Sequence, residues 1–189
     1  MDLQVVPLHK YPQYSMQCCQ LINEEWKRSV TARMRSLECS CDVLPTCLIL
    51  LKDKKVIGHC KLSLIPSICD ACFIESVVID KSLRGKGYGS YLMTKAEEYC
   101  KNALNLKTIY LSTKGQELFY SKLGYDKCQP ISIYGSSSIV NFPMYHVHHT
   151  TKNKKQIGNE NNSPIPPPMP KTTLVCTEIT SKVYMKKEL

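Results

Sequence analysis

No apolar run in this 189-residue chain approaches the roughly 18 residues that a membrane-spanning helix needs, which excludes a helical membrane protein. Met1 to His9 lacks an apolar stretch preceded by a basic cluster, so no secretory signal is expected there. Without such a signal the 11 cysteines are read as small buried hydrophobes in a reducing, cytoplasmic setting, not as a disulfide scaffold. A second Cys-x-x-Cys to partner Cys69-x-x-Cys72 is also missing. Cys39-x-Cys41 with His146, His148 and His149 does not replace it at zinc-finger spacing, so no metal is expected. Internal repeats are absent. Acidic residues are scarce, 16 against 25 Lys plus Arg, and the net charge of +9 favours an acidic partner: nucleic acid, an anionic membrane or an acidic peptide. The cations are not interleaved with stacking aromatics in one stripe, which makes nucleic acid the weaker option.

What the chain does have is an ordinary globular composition, 43% hydrophobic and 22% charged, at a length suited to one core. Residues 1–189 are therefore expected to form a single domain. Leu3 to His9 reads as an opening strand, and Ser15 to Trp26 carries Met16, Cys19, Leu21, Ile22 and Trp26 at helical spacing. Ser29 or Thr31 caps a second short helix running to about Leu37. Thr46 to Leu51 and Val56 to Ile65 form a hairpin around Asp53-Lys54-Lys55, and Ala71 to Asp80 is a further strand with a doubly buried Val77-Val78-Ile79 run. Gly89 to Leu104 is an amphipathic helix, Thr108 to Thr113 a strand, and Gln116 to Leu123 a short helix stopped by Gly124. Ile131 to His149 offers more strand, broken at Tyr134 to Ser138. Thr150 to Lys171, with Pro164-Ile165-Pro166-Pro167-Pro168-Met169-Pro170, is expected to be an exposed loop before a last strand, Thr172 to Met185.

Between a strand ending at Ile79 and a helix lies Arg84-Gly85-Lys86-Gly87-Tyr88-Gly89. The first amides of a helix have no partner within it, and glycines let a pyrophosphate approach them closely. Arg84 and Lys86 add charge at the rim. No Gly-Lys-Ser/Thr follows to bind magnesium, and the glycines at 85, 87 and 89 do not fit a Gly-x-Gly-x-x-Gly dinucleotide turn. Nucleotide hydrolysis and hydride transfer therefore lose ground. The plainer alternative is a turn that merely lets a helix pack on a strand.

Arg84-x-x-Gly87-x-Gly89 resembles the acetyl-coenzyme A signature of the GNAT superfamily of N-acetyltransferases. Ile74 to Ile79 before it, and Leu118-Phe119-Tyr120-Ser121-Lys122-Leu123-Gly124-Tyr125 after it, resemble that superfamily as well. The resemblance implies an α/β GNAT fold: a mixed, mostly antiparallel sheet of about seven strands, splayed in the middle and flanked by about four helices. It implies acetyl-coenzyme A as co-substrate. The implied cofactor contacts are Val77, Val78 and Ile79 on the splayed strand, Arg84, Gly85, Lys86, Gly87, Tyr88 and Gly89 at the turn, and Gln116 and Tyr120 near the thioester. The superfamily often has Asn where this chain has Thr113 or Lys114.

Acetyl transfer needs a base, and Glu75 is the first candidate because strand alternation puts it on the face of Val77. Its ordinary alternatives are a solvent-facing strand residue or a partner for Arg84. His59 on the neighbouring strand is the second candidate, and Tyr120 is the expected proton donor to the leaving sulfur. The acceptor is expected to meet Trp26, Arg28, Arg33, Arg35 and Ser36, from a stretch with four cations and no acid in eleven residues. A single regular helix would point Arg33 away from Arg35, so a break near Ser29 to Thr31 is expected.

With the Leu21 to Trp26 helix, Gly58-His59 and the proline-rich loop, the chain resembles the family of N-terminal acetyltransferases acting on processed actin. That resemblance implies the acidic actin amino terminus as substrate and profilin as a partner through the proline-rich loop. A GNAT acting on a small amine or a lysine side chain, and a basic nucleic-acid-binding module, are the alternatives.

Overall fold

The computed structural model describes residues 2–133 and 182–189. Their elements are β1 (Leu3–Pro7), α1 (Ser15–Glu25), α2 (Val30–Glu38), β2 (Thr46–Lys52), β3 (Lys55–Leu64), β4 (Ala71–Ile79), α3 (Tyr88–Asn102), β5 (Thr108–Thr113), α4 (Glu117–Lys122), β6 (Asp126–Cys128) and β7 (Val183–Glu188). The strands form one seven-stranded sheet in the order β1-β2-β3-β4-β5-β7-β6. Only β4 and β5 pair in parallel. This is the mixed GNAT sheet, with the four flanking helices, that the sequence motifs imply.

Each face of the sheet is covered, and β2 shows why its sequence is almost wholly apolar. Cys47, Ile49 and Leu51 pack with Cys18, Cys19 and Ile22 of α1 on one face. Leu48 and Leu50 pack with Leu92, Met93 and Ala96 of α3 on the other. A strand buried on both sides reads as a continuous hydrophobic run. The β2–β3 hairpin turns through Asp53 and Lys54 at φ 49° and 63°, the left-handed pair that suits the twist of a two-residue hairpin.

Two irregularities in β4 shape everything downstream. First, its parallel pairing with β5 runs only from Ala71↔Thr108 to Ile74↔Leu111, while β4 continues to Ile79 and β5 to Thr113. The two strands part beyond Ile74. Second, the β3–β4 register jumps between His59↔Val78 and Lys61↔Glu75, so Cys60 alone stands opposite Ser76 and Val77. Ser76 takes φ 55° at this bulge, a conformation that costs a non-glycine residue roughly 1–3 kcal/mol. The inserted residue reverses the alternation. Val77 packs on the α3 side, whereas Glu75 pairs with Lys61 and Ser63 on the α1–α2 side. Strict alternation would have placed Glu75 and Val77 on one face.

The carboxyl-terminal strand also departs from expectation. It runs over Val183–Glu188, past the expected end at Met185, and residues 172–181 of the expected strand lie outside those described. In the observed strand Lys187 lays its ammonium 2.6 Å from Glu97 and 5.6 Å from the centre of the Tyr125 ring, and Met185 is fully buried. The strand fits between β5 and β6, a three-residue strand too short to register as a pattern. Residues 131–133 are not strand, and the rest of the expected Ile131 to His149 strand and the proline-rich tract lie outside the described residues.

Gly58 sits where β2, β3 and β4 are tightest. A Cβ there would come 2.7 Å from Ile79 Cδ1, 3.1 Å from Leu50 Cβ and 3.3 Å from the Val78 carbonyl. Only the first of these neighbours is free to swing away. Gly58→Ala is therefore expected to lower the unfolding free energy by about 1–3 kcal/mol, read from the urea midpoint. An unchanged midpoint would contradict this packing.

Candidate active site

The glycine turn is built by backbone requirements more than by packing. Asp80 ends β4 and caps a short 3-10 turn, its Oδ1 accepting from the Ser82 amide at 2.9 Å and the Ser82 hydroxyl at 2.7 Å. Gly85 and Gly87 then adopt φ 76° and 83°, with nothing within 4 Å of where a Cβ would stand. Gly87 is the N-cap of α3 and brings no side chain to cap it. The Tyr91 amide makes the first bond back to the Gly87 carbonyl, so the amides of Tyr88, Gly89 and Ser90 have no intrahelical acceptor. Gly89 is constrained differently: a Cβ there would lie 3.4 Å from the Phe119 ring, so the start of α3 is drawn close to α4.

Arg84 is less free than a rim charge. Its Nε donates to the Ile79 carbonyl at 2.9 Å and its Nη2 pairs with Glu25 Oε2 at 2.8 Å. Arg84 thereby ties the turn to the end of α1 and holds the Glu25 carboxyl below its usual pKa. The partner considered for Arg84, Glu75, is elsewhere. Lys86 is exposed, with its ammonium 3.4 Å from the Ser82 carbonyl.

A cleft of about 1400 Å³ runs from this turn into the gap between the parted strands. Val77, Val78 and Ile79 line it from β4, and Gly85, Gly87, Tyr88 and Gly89 from the turn, with Arg84 beside them. Gln116 and Tyr120 border it from the α4 side, and Ser112, Thr113 and Lys114 from the end of β5. Glu75, Trp26 and Arg33 line it as well. Lys86, His59, Arg28, Arg35 and Ser36 do not line it.

Trp26, 45% exposed, follows the last residue of α1. Ser29 caps α2 by accepting from the Ala32 amide, so the chain breaks between the helices where the acceptor reading required it. The break serves Arg33 alone. Its Nε donates to Asn23 Oδ1 at 3.0 Å and its Nη2 to the Trp26 carbonyl at 2.9 Å, which holds its fork at the cleft. Arg28 precedes the helix and Arg35 is exposed on it.

Glu75 Oε1 accepts from Ser63 Oγ at 2.7 Å and pairs with Lys61 Nζ at 3.1 Å. Among the described residues its Oε2 has no such partner. Tyr120 is almost buried, edge-on to Phe119 and Tyr125 with ring centres 5.0 and 5.9 Å away, and burial pushes its phenol up to about 12. His59 is 1% exposed, and its Nδ1 lies 3.0 Å from the Ser76 carbonyl. A carbonyl only accepts, so Nδ1 carries the proton. Burial is the main cause of a pKa lowered to about 4, and the ring is neutral.

Sequence reasoning missed the residues that hold the others: Glu25, Asn23, Lys61 and Ser63. Lys61 was within reach, since an opposite charge directly across a hairpin register from Glu75 is a recognisable pair. Glu25 was not, because 59 residues separate it from Arg84. Lys182 and Tyr184 also line the cleft, brought there only by β7. Cys69 and Cys72 do not converge: Cys69 is exposed, while Cys72 is buried with its Sγ 3.6 Å from Cys100 Sγ.

A model of the Acetyltransferase (GNAT) family matches residues 15–125. N-alpha-acetyltransferase 80 of Mus musculus is 35% identical over 127 residues, covering 64% of this chain and 40% of that protein. The chain thus spans well under half of that relative's length. Among solved structures, an acetyltransferase of the GNAT family from Streptococcus pneumoniae aligns with a TM-score of 0.55 at 17% identity, over 68% of this chain and 87% of its own. A spermidine/spermine N-acetyltransferase from Vibrio cholerae aligns with a TM-score of 0.54 at 18% identity, over 68% and 82%. These two likenesses are of fold.

The buried neutral His59 has a consequence for stability. Its pKa is about 4 folded and 6.5 unfolded, so only the unfolded chain takes up this proton between those values. The stability is fully present above pH 6.5 and is lost as pH falls toward 4. From pH 6.5 to 5 the loss is expected to be on the order of 1.5 kcal/mol. Urea midpoints across that range are expected to fall for the natural chain and to lose that slope in His59→Asn. Equal slopes would contradict the buried neutral assignment.

Proposed function

The chain belongs to the acetyltransferase (GNAT) family, and on that premise we propose that it acetylates the α-amine of a protein with an acidic amino terminus, processed actin being the substrate its resemblance indicates. The observation that carries this reading is the parting of β4 and β5 beside the glycine turn, with Glu75 and Tyr120 on the same cleft. Similarity to N-alpha-acetyltransferase 80 supports an amino-terminal acceptor.

Acetyl-coenzyme A supplies an acetyl group already activated as a thioester. The free amides of Tyr88, Gly89 and Ser90 would hold its pyrophosphate at the positive end of α3, and the open space at Gly85 and Gly87 fits an anion lying against bare backbone. The unpaired edge of β4, from Glu75 to Ile79, would take the pantetheine arm.

An α-amine, with a pKa of about 7.7–8.0, is neutral near physiological pH far more often than a lysine at about 10.4. As the nitrogen bonds to the acetyl carbon and the carbon–sulfur bond breaks, Glu75 Oε2 receives the amine proton through a water. Oε1 is already occupied by Ser63 and Lys61, which fixes the carboxylate's direction. Burial raises the Tyr120 phenol to about 12, so it stays protonated and keeps a donor for the sulfur as it leaves with the electron pair.

Acceptor recognition then rests on Trp26, Arg33 and Lys182, groups that line the cleft, in place of three converging arginines. An acidic first residue meets cations there, and the net charge of +9 attracts it from a distance. A profilin contact through Pro164 to Pro170 rests on the resemblance alone, as that tract lies outside the described residues. The free cysteines suit a cytoplasmic enzyme.

An acidic amino-terminal peptide is expected to be acetylated, and its blocked or lysine-only counterparts are not. Glu75→Gln is expected to lower kcat about 10²–10⁴-fold with little change in the KM for acetyl-coenzyme A. Acetylation of the lysine peptide alone, measured by mass spectrometry, would overturn the α-amine assignment.

A further inference from the structure

His59 is a strand histidine with three properties that do not suit a base. It is buried, it does not line the cleft, and its proton-bearing Nδ1 is spent on the Ser76 carbonyl. What it holds is the most irregular point of β4. Ser76 is the left-handed residue of the bulge, its carbonyl turned to the ring and not to a ladder partner, and both Ser76 and Val77 line the cleft. In a trans peptide the carbonyl and the following N–H point in opposite directions. Fixing the Ser76 carbonyl toward His59 therefore fixes the Val77 N–H away from it.

We infer that His59 is a positioning residue: it clamps the bulge through the Ser76 carbonyl, so that the Val77 N–H stands ready for the acetyl carbonyl oxygen as negative charge gathers there. The inference rests on the acetyl-transfer reading of the cleft. A donor fixed before the reaction stabilises developing charge without reorganising, and loss of one such donor lowers kcat by about 10²–10³-fold. The ring stays neutral in this role. Desolvation, reinforced by Arg33 and Lys61, opposes its protonation and outweighs the Ser76 carbonyl and Glu75, which favour it.

The test compares His59→Leu, which removes the donor, with His59→Asn, whose Nδ2 occupies nearly the place of Nδ1. His59→Leu is expected to lose kcat about 100-fold or more while calorimetry gives an acetyl-coenzyme A Kd within a few-fold of the natural chain. His59→Asn is expected to recover kcat to within about 10-fold, with an unchanged pH profile of kcat/KM. In the natural chain, ¹⁵N NMR of the ring at pH 7 is expected to show the neutral Nδ1–H form, a readout that stands even if the leucine variant fails to fold. An Nε2–H or doubly protonated ring would overturn the clamp. So would full activity of both variants, or an asparagine variant that is as slow as leucine and lacks the acidic limb of the profile, which a general base would supply. Absence of transfer or of acetyl-coenzyme A binding in the natural chain would instead overturn the reading of the cleft.

Discussion

The parting of β4 from β5 after Ile74↔Leu111 is the constraint on which the rest depends. Buried backbone amides and carbonyls require partners, so a sheet that opens in its centre must offer its exposed edge to something else. Here the opening leads toward the Gly87 cap of α3, whose first amides have no acceptor within the helix. Gap and turn make one continuous strip of main-chain hydrogen-bonding groups. A long ligand with an amide-bearing arm and an anionic end matches such a strip without calling on specific side chains.

The bulge at Ser76 assigns the two faces their tasks. By reversing the side-chain alternation, it turns Glu75 to the face carrying α1 and α2, with Arg33 and Trp26, while Val77 packs toward α3. Supporting contacts fix each group in place: Ser63 and Lys61 on Glu75, Asn23 on Arg33, Glu25 on Arg84. The Glu25–Arg84 pair joins the end of α1 to the glycine turn.

Much of this was legible in the order of residues. Apolar periodicity gave α1 and α3, and three glycines stood out between a strand and an amphipathic helix, whereas Val77, expected to be buried on both faces, is half-buried and lines the cleft. The departures arose where a rule of alternation or composition met a tertiary contact. Glu75 and Val77 were placed on one face because nothing in Glu75-Ser76-Val77 announces a residue at φ 55°. The last strand, expected to end at Met185, runs on to Glu188, and Lys187 makes a half-buried contact with Glu97 and Tyr125. Of the basic stretch after α1, charge identified the region, but only the fold could select Arg33 over Arg28 and Arg35.

The central claim is that backbone groups of the parted strand and the glycine turn grip one ligand together. Titration of acetyl-coenzyme A into the ¹⁵N-labelled chain tests it most directly. The account predicts saturable shifts of the Val77, Val78 and Ile79 amides together with those of Gly87, Tyr88, Gly89 and Ser90. Shifts confined to scattered surface lysines, or no shifts at all, would contradict it.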